Sequence, residues 1–271
     1  MREFASERRQ AGLQYGRETL AVGQRILIEL IRRQRSLIAW AIFPISILLL
    51  NGFIMAQAPS QTLGQAFQQV APSTLVGVAL FFSCMGGPIA TVIAEREHQT
   101  FRRLFMSPLS GLAYFSGIFV AYGAIGIGQG LLVYLVATCF GAALPTALGL
   151  GIAILLLSIA AYVGVGFTVA AHLGRSTDDV GALVSAFGVP LLMLGGAFFP
   201  TKLLPDQLLQ LAKFNPIYHM TKAMVAVAAN GQSFEQVKNH VLFLSGFALL
   251  ALSVGWWSYC HMLRAERSLW R

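Results

Sequence analysis

The sequence predicts an all-α integral membrane protein, on three observations. Of 271 residues, 56% are hydrophobic and only 11% charged, whereas soluble domains carry about a quarter charged residues. Six apolar runs, 36–56, 74–94, 112–140, 147–171, 180–199 and 241–263, contain no Asp, Glu, Lys or Arg, and a membrane-crossing helix needs roughly 20 such residues. None of the runs alternates polar and apolar residues as barrel strands do. The expected layout is an arm with an interfacial helix over 1–35, a six-span bundle over 36–263 and a tail over 264–271.

The first 35 residues hold eight arginines and no uninterrupted apolar core, which excludes a cleavable signal peptide. From Gly16 to Arg35, at 100° per residue, Leu20, Gly23, Ile26, Leu27, Leu30 and Ile31 share one face. Arg17, Glu18, Arg25, Glu29, Arg32 and Arg33 crowd the other. That pattern predicts an amphipathic helix lying in the membrane interface; the alternative is a solvated basic arm that only fixes orientation.

Residues 57–71 read as a short polar link. Pro44, Pro88 and Pro190 fall inside spans and are expected to kink them. The third run is long and glycine-rich, so it is tilted, broken or extended beyond the bilayer. Its Gly126 and Gly130 form a GxxxG, expected to serve helix packing. Asp178 and Asp179 stand at the start of the fifth run, where acids suit a helix N-terminus. Residues 195–220, GGAFFPTKLLPDQLLQLAKFNPIYHM, are too broken for a span and too apolar for a loop. They predict short helices dipping into the outer leaflet or capping the bundle.

Basic residues set the expected orientation. With both termini on one side, 15 lie on that side and 4 on the other, namely Lys202, Lys213, Lys222 and Lys238. The excess marks the cytoplasmic side. The formal charge of +8 is accordingly a topology and lipid-headgroup signal. No motif for nucleic acid accompanies it.

The sequence has no GxxxxGK[ST] phosphate loop, no HExxH, no G-x-S-x-G and no Cys/His cluster. Cys84, Cys139 and Cys260 read as small buried hydrophobes, and the five histidines as scattered interfacial residues. No metal site is expected. Asn51 and Gln129 are the most polar side chains inside the runs. Ion-driven carriers keep ionisable groups in the membrane, so energy for transport would enter from outside the bilayer.

Residues 95–108, EREHQTFRRLFMSP, gather charge between two apolar runs. Over 95–106 they predict a short cytoplasmic helix. Phe101, Leu104 and Phe105 form an apolar ridge. Glu95 and Glu97 suit its first turn and Arg102 and Arg103 its last, and Ser107-Pro108 ends it. It either rests on headgroups or docks a cytoplasmic partner.

Two motifs resemble the membrane subunit of type II ABC exporters of the drug, lipid and polysaccharide group. One is Glu95-Arg96-Glu97, Thr100, Leu104 and Ser107-Pro108-Leu109, with Gln99 where that family has glycine. The other is Gly196-Ala197-Phe198-Phe199-Pro200, Leu204-Pro205 and Asn215-Pro216-Ile217-Tyr218. The resemblance implies a permease that forms the path for an amphipathic, lipid-linked or drug-like substrate. Its partners would be a second permease copy, or a sister chain, and a separate ATPase subunit that binds ATP and Mg. The coupling residues it implies are Glu95, Arg96, Glu97, Thr100, Phe101, Leu104, Phe105 and Pro108, with Arg175 and Asp178 as a second contact. The implied re-entrant or outer-gate residues are Gly196, Phe198, Phe199, Pro200, Pro205, Asn215 and Pro216. Rival readings are a lipid-modifying membrane enzyme, which would need converging carboxylates or histidines, and a non-transporting scaffold.

Overall fold

The computed structural model describes residues 2–32, 34–59, 61–98, 109–173 and 177–269. Among them the chain is helical, with no strand. The helices are α1 (Arg2–Arg32), α2 (Arg35–Met55), α3 (Leu63–Ser73), α4 (Gly86–Glu97), α5 (Gly111–Cys139), α6 (Leu148–Leu173), α7 (Thr177–Leu194), α8 (Asp206–Ala212), α9 (Pro216–Ala228) and α10 (Phe234–Leu269). Two π-helical stretches, Thr74–Ala79 and Phe81–Met85, join α3 to α4 in one rod. Five segments are long and apolar enough to cross a membrane: Arg35–Met55, Leu63–Glu97, Gly111–Cys139, Leu148–Leu173 and Phe234–Arg264. The apolar helix Val180–Leu194 within α7 is shorter.

The rod corrects the polar link expected over 57–71. Thr62 starts α3 with a capping box. Its hydroxyl accepts from the Gln65 backbone N–H, while the Gln65 side chain accepts from the Thr62 N–H. Ala66, Phe67 and Val70 make an apolar face that is buried, while Gln65 is exposed and Gln68 and Gln69 bond Ala229 and Asn230 past the end of α9. Only Pro59 and its neighbours remain as the link.

The π geometry lies between Pro72 and Pro88. It shifts the ladder to i→i+5 and loosens its register. Side chains take up carbonyls along this stretch. The Tyr162 hydroxyl donates to the Val76 carbonyl at 2.9 Å, and Ser83 Oγ to Ala79 at 2.7 Å. In a membrane such carbonyls have no water to fall back on.

Small residues let the helices close. A Cβ on Gly164 of α6 would lie 2.5 Å from the Ala251 backbone of α10, and one on Gly126 2.7 Å from Ile159. The expected packing role thus falls on Gly126. Gly130 has ordinary contacts, and Gly123 and Gly128 face open space. The third run is a single unbroken helix of 29 residues.

Two further boundaries differ from expectation. The fifth run stops at Leu194 instead of 199, because Gly196 turns with φ +76° and Pro200 offers no N–H. The last helix starts at Phe234, seven residues before 241, with the Gln236 side chain accepting from the Ser233 N–H. Cys84 is buried as expected, but Cys139 is exposed. Exposed apolar side chains such as Ile42, Leu131, Leu135 and Leu249 cover the outside, as lipid contact requires.

Candidate functional site

At the arginine-rich end, α1 is fastened to the bundle on both sides of residues 99–108. On one side Arg25 of α1 pairs with Glu95 in the last turn of α4. Glu95 is only 7% exposed. The Tyr114 hydroxyl of α5 donates to its other oxygen. Behind them Tyr114 stacks on Tyr259 of α10 at 5.6 Å, and Phe115 meets Phe167 of α6 at 4.3 Å. One carboxylate is therefore held by three helices and backed by an aromatic cluster. A charge in such a place persists only when paired and hydrogen-bonded.

On the other side Glu18 of α1 accepts from the backbone N–H of Ser110 at 3.3 Å, beside the N-terminus of α5, where an acid complements the helix dipole. The Ser110 hydroxyl caps the same helix by accepting from Ala113 N–H at 3.1 Å. Tyr15 meets Ser116 at 2.6 Å, and Val22 packs where a Cβ on Gly117 would stand. Arg96 donates to the Ala170 carbonyl at 3.3 Å near the end of α6, where a cation suits the C-terminal dipole.

The amphipathic helix expected over 16–35 is thus part of a longer helix, and its apolar face is divided. Gly23 and Ile26 are buried in the bundle, while Leu20 and Ile31 are exposed. Glu95 faces inward instead of presenting a surface charge, whereas Glu97 is exposed. A signal for this was available: Glu95 follows Val92 by three residues on the stripe Pro88, Ile89, Val92 that is buried along α4. Its partner, 70 residues away, was not readable from any local pattern. Of the other coupling residues, Thr100, Phe101, Leu104, Phe105, Pro108 and Arg175 lie outside the described residues. Asp178 falls in the first turn of α7.

A cavity of about 450 Å³ opens beside this clasp. Arg25 and Glu29 of α1, Ser36 and Trp40 of α2, Thr91 of α4 with His98 just past its end, and Tyr122 of α5 line it. It offers both signs of charge next to aromatic surface.

The residues of the second motif meet at the opposite end. Asn215 accepts from Ile217 N–H at 3.0 Å as the N-cap of α9, and Pro216 takes the first helical position. The Asn215 amide also donates to the Leu191 carbonyl at 2.6 Å, and Thr221 donates to the Gly195 carbonyl. Asn-Pro therefore starts one helix while adding a second bond to a carbonyl in the last turn of another, and Thr221 serves the carbonyl just past that turn. Gly77 of the π stretch touches Ala197, where a Cβ would approach to 2.3 Å. The turn is thereby seated against the middle of the rod. Phe198 is half-buried, Phe199 is 50% exposed, and Pro205 precedes α8. Short helices do occupy the broken segment expected over 195–220, and the last of them, α9, runs on to Ala228. α9 is mostly buried, and Leu203 and Phe214 remain exposed.

A second cavity of about 470 Å³ lies under this turn. Its lining includes Asn51, Gln61, Gln69, Phe198, Thr201 and Lys222. Two histidines read as unrelated also come together here: His219 and His240 approach Nδ1 to Nδ1 at 2.9 Å, with His219 stacked on Phe243 at 3.9 Å. No group of three or more His, Cys, Asp or Glu able to hold a metal occurs among the described residues.

Residues 17–228, which include both ends of the rod and both motifs, match the ABC-2 type transporter family. The chain belongs to that family. No curated protein matches it. This ABC-2 chain is a multi-pass membrane permease of an ABC transporter. It contains no Walker A sequence of its own.

Proposed function

We propose that this permease is the moving half of an exporter driven by a separate ATPase, which binds ATP and Mg and docks on residues 99–108 and on the link around 174–179. The observation that carries the reading is the Glu95–Arg25–Tyr114 clasp. Residues 99–108 are bounded by Glu95 on one side and Ser110 on the other, and α1 touches both. A push on that segment would reach the rod, α5 and α1 together.

In this reading the arginine-rich end is cytoplasmic, in a bacterial-type inner membrane. α7 supplies a sixth crossing; its 18 residues span about 27 Å, close to the roughly 30 Å hydrocarbon core. A second copy of the chain or a sister permease completes the path. The clasp-side cavity receives an amphipathic substrate, with Arg25 and Glu29 near its head and Trp40 near its apolar part.

The test is co-expression with an ABC ATPase subunit, followed by ATPase and transport assays in liposomes. Phe101→Asp is expected to abolish substrate-stimulated ATPase while membrane insertion is retained. Unchanged assembly and transport in that variant would overturn docking through this segment.

A further inference from the structure

Two side chains that no local pattern connects meet at the lysine-bearing end. His219 lies on α9 and His240 on α10, 21 residues apart in sequence, and both are half-buried. His219 is held in one orientation from two directions. Its ring stacks on Phe243 at 3.9 Å, and its Nε2–H donates to the Lys213 carbonyl at 2.9 Å. A neutral imidazole has one N–H, so the Nδ1 of neutral His219 carries a lone pair. That lone pair accepts from His240 Nδ1–H at 2.9 Å, and His240 keeps its own lone pair on Nε2. A ring with one nitrogen fixed on a backbone carbonyl and the other offered to a neighbour is set up as metal-ligating histidines are. Two nearby lysines have partners of their own. Lys238 pairs with Glu235 at 2.8 Å, and Lys222 stands over the Tyr218 ring and engages a further group.

We propose that His219 and His240 bind a zinc-class transition-metal ion between their Nδ1 atoms, with water completing its coordination. Zinc–nitrogen bonds of about 2.0–2.1 Å at a tetrahedral angle place two ligand nitrogens about 3.3 Å apart. From 2.9 Å the pair opens by about 0.4 Å on that geometry and turns both rings toward the ion. The proton on His240 Nδ1 passes through water to its Nε2, so each ring stays neutral and no proton is released. Imidazole suits zinc, copper and nickel, whereas magnesium and calcium take oxygen ligands. The ion ties α10 to the helix whose Asn215 and Thr221 hold the Leu191 and Gly195 carbonyls. On the permease reading, from which the site itself is independent, the bound ion slows transport by holding that turn in place.

The experiment uses the full chain in nanodiscs, purified without a polyhistidine tag and with no ATPase present. A negative result therefore leaves the exporter reading standing, and failed coupling to an ATPase leaves the site standing. Zinc chloride alone is the probe, at neutral pH. In the unaltered chain zinc should slow diethyl pyrocarbonate modification of His240, read by peptide mass spectrometry, because the shifted proton closes its Nε2. His98 and His172 should react at their zinc-free rates. By calorimetry, His219→Gln and His240→Gln should each weaken zinc binding roughly tenfold or more, at least the loss that follows removal of an outer-shell partner. His172→Gln should leave it unchanged, and magnesium should not compete. Copper(II) in place of zinc should show electron-spin coupling to two imidazole nitrogens, and to one in either variant. Undiminished reaction of His240 under excess zinc, or equal zinc binding by the unaltered chain and both variants, would overturn the proposal.

Discussion

The rod of residues 63–97 ends in two different chemistries. At the arginine-rich end it finishes on Glu95, a buried carboxylate paired with Arg25 and Tyr114 and backed by stacked rings. At the other end it begins on a capping box, with Phe67 stacked on Phe140 at 4.4 Å and Gln69 bound to Asn230. The first end is held by an ionic group that tolerates no loss of its partner. The second is held by many neutral contacts, each replaceable. Between them the π stretches and their side-chain-satisfied carbonyls form a looser middle.

Three substitutions would break or sharpen this contrast. Arg25→Leu should have the largest effect, because it leaves Glu95 charged and buried without its partner. Breaking such a pair costs about 3–5 kcal/mol. The Arg25 side chain is 32% exposed, so solvent screening lowers the expected loss to about 2–3 kcal/mol. Denaturation of the detergent-purified chain measures it. The double variant Arg25→Leu with Glu95→Leu should recover most of the loss, and no recovery would mean that the clasp is not ionic in origin. Tyr162→Phe should come next, at about 1 kcal/mol, since it deletes the hydroxyl that serves the Val76 carbonyl. Faster amide exchange confined to 74–85 would locate the effect in the middle of the rod. Gln69→Ala should be smallest, below about 0.5 kcal/mol, because its bond to Asn230 is exposed. An effect as large as that of Arg25→Leu would erase the difference between the ends.

Much of the fold was legible in local pattern. The apolar runs located the spanning helices, and the Gly-Pro-Asn punctuation located the short helices of 201–228. The errors are equally specific. The glutamines of α3, two of them half-buried against the end of α9, disguised its buried face as a polar link. The end of α7 was placed too late because Phe198 and Phe199 are as apolar as a span, while the backbone turn at Gly196 is decided by φ and not by hydropathy. At the site, the Asn215-Pro216 motif could be read as a helix start, but its second bond, to Leu191, could not.

What the sequence by itself determined is the helical, membrane-crossing character of the chain and the segregation of its basic residues. Both follow from local composition: a backbone in hydrocarbon must satisfy its own hydrogen bonds within each segment, and helices do so without any partner. What only the tertiary structure decided is which side chains meet. Arg25 with Glu95, Tyr162 with Val76 and His219 with His240 come together through the rotation and depth at which helices pack. Helical periodicity names the face of a residue, but the neighbour on that face is fixed by small residues such as Gly117 and Gly164 that let one particular pair of helices close.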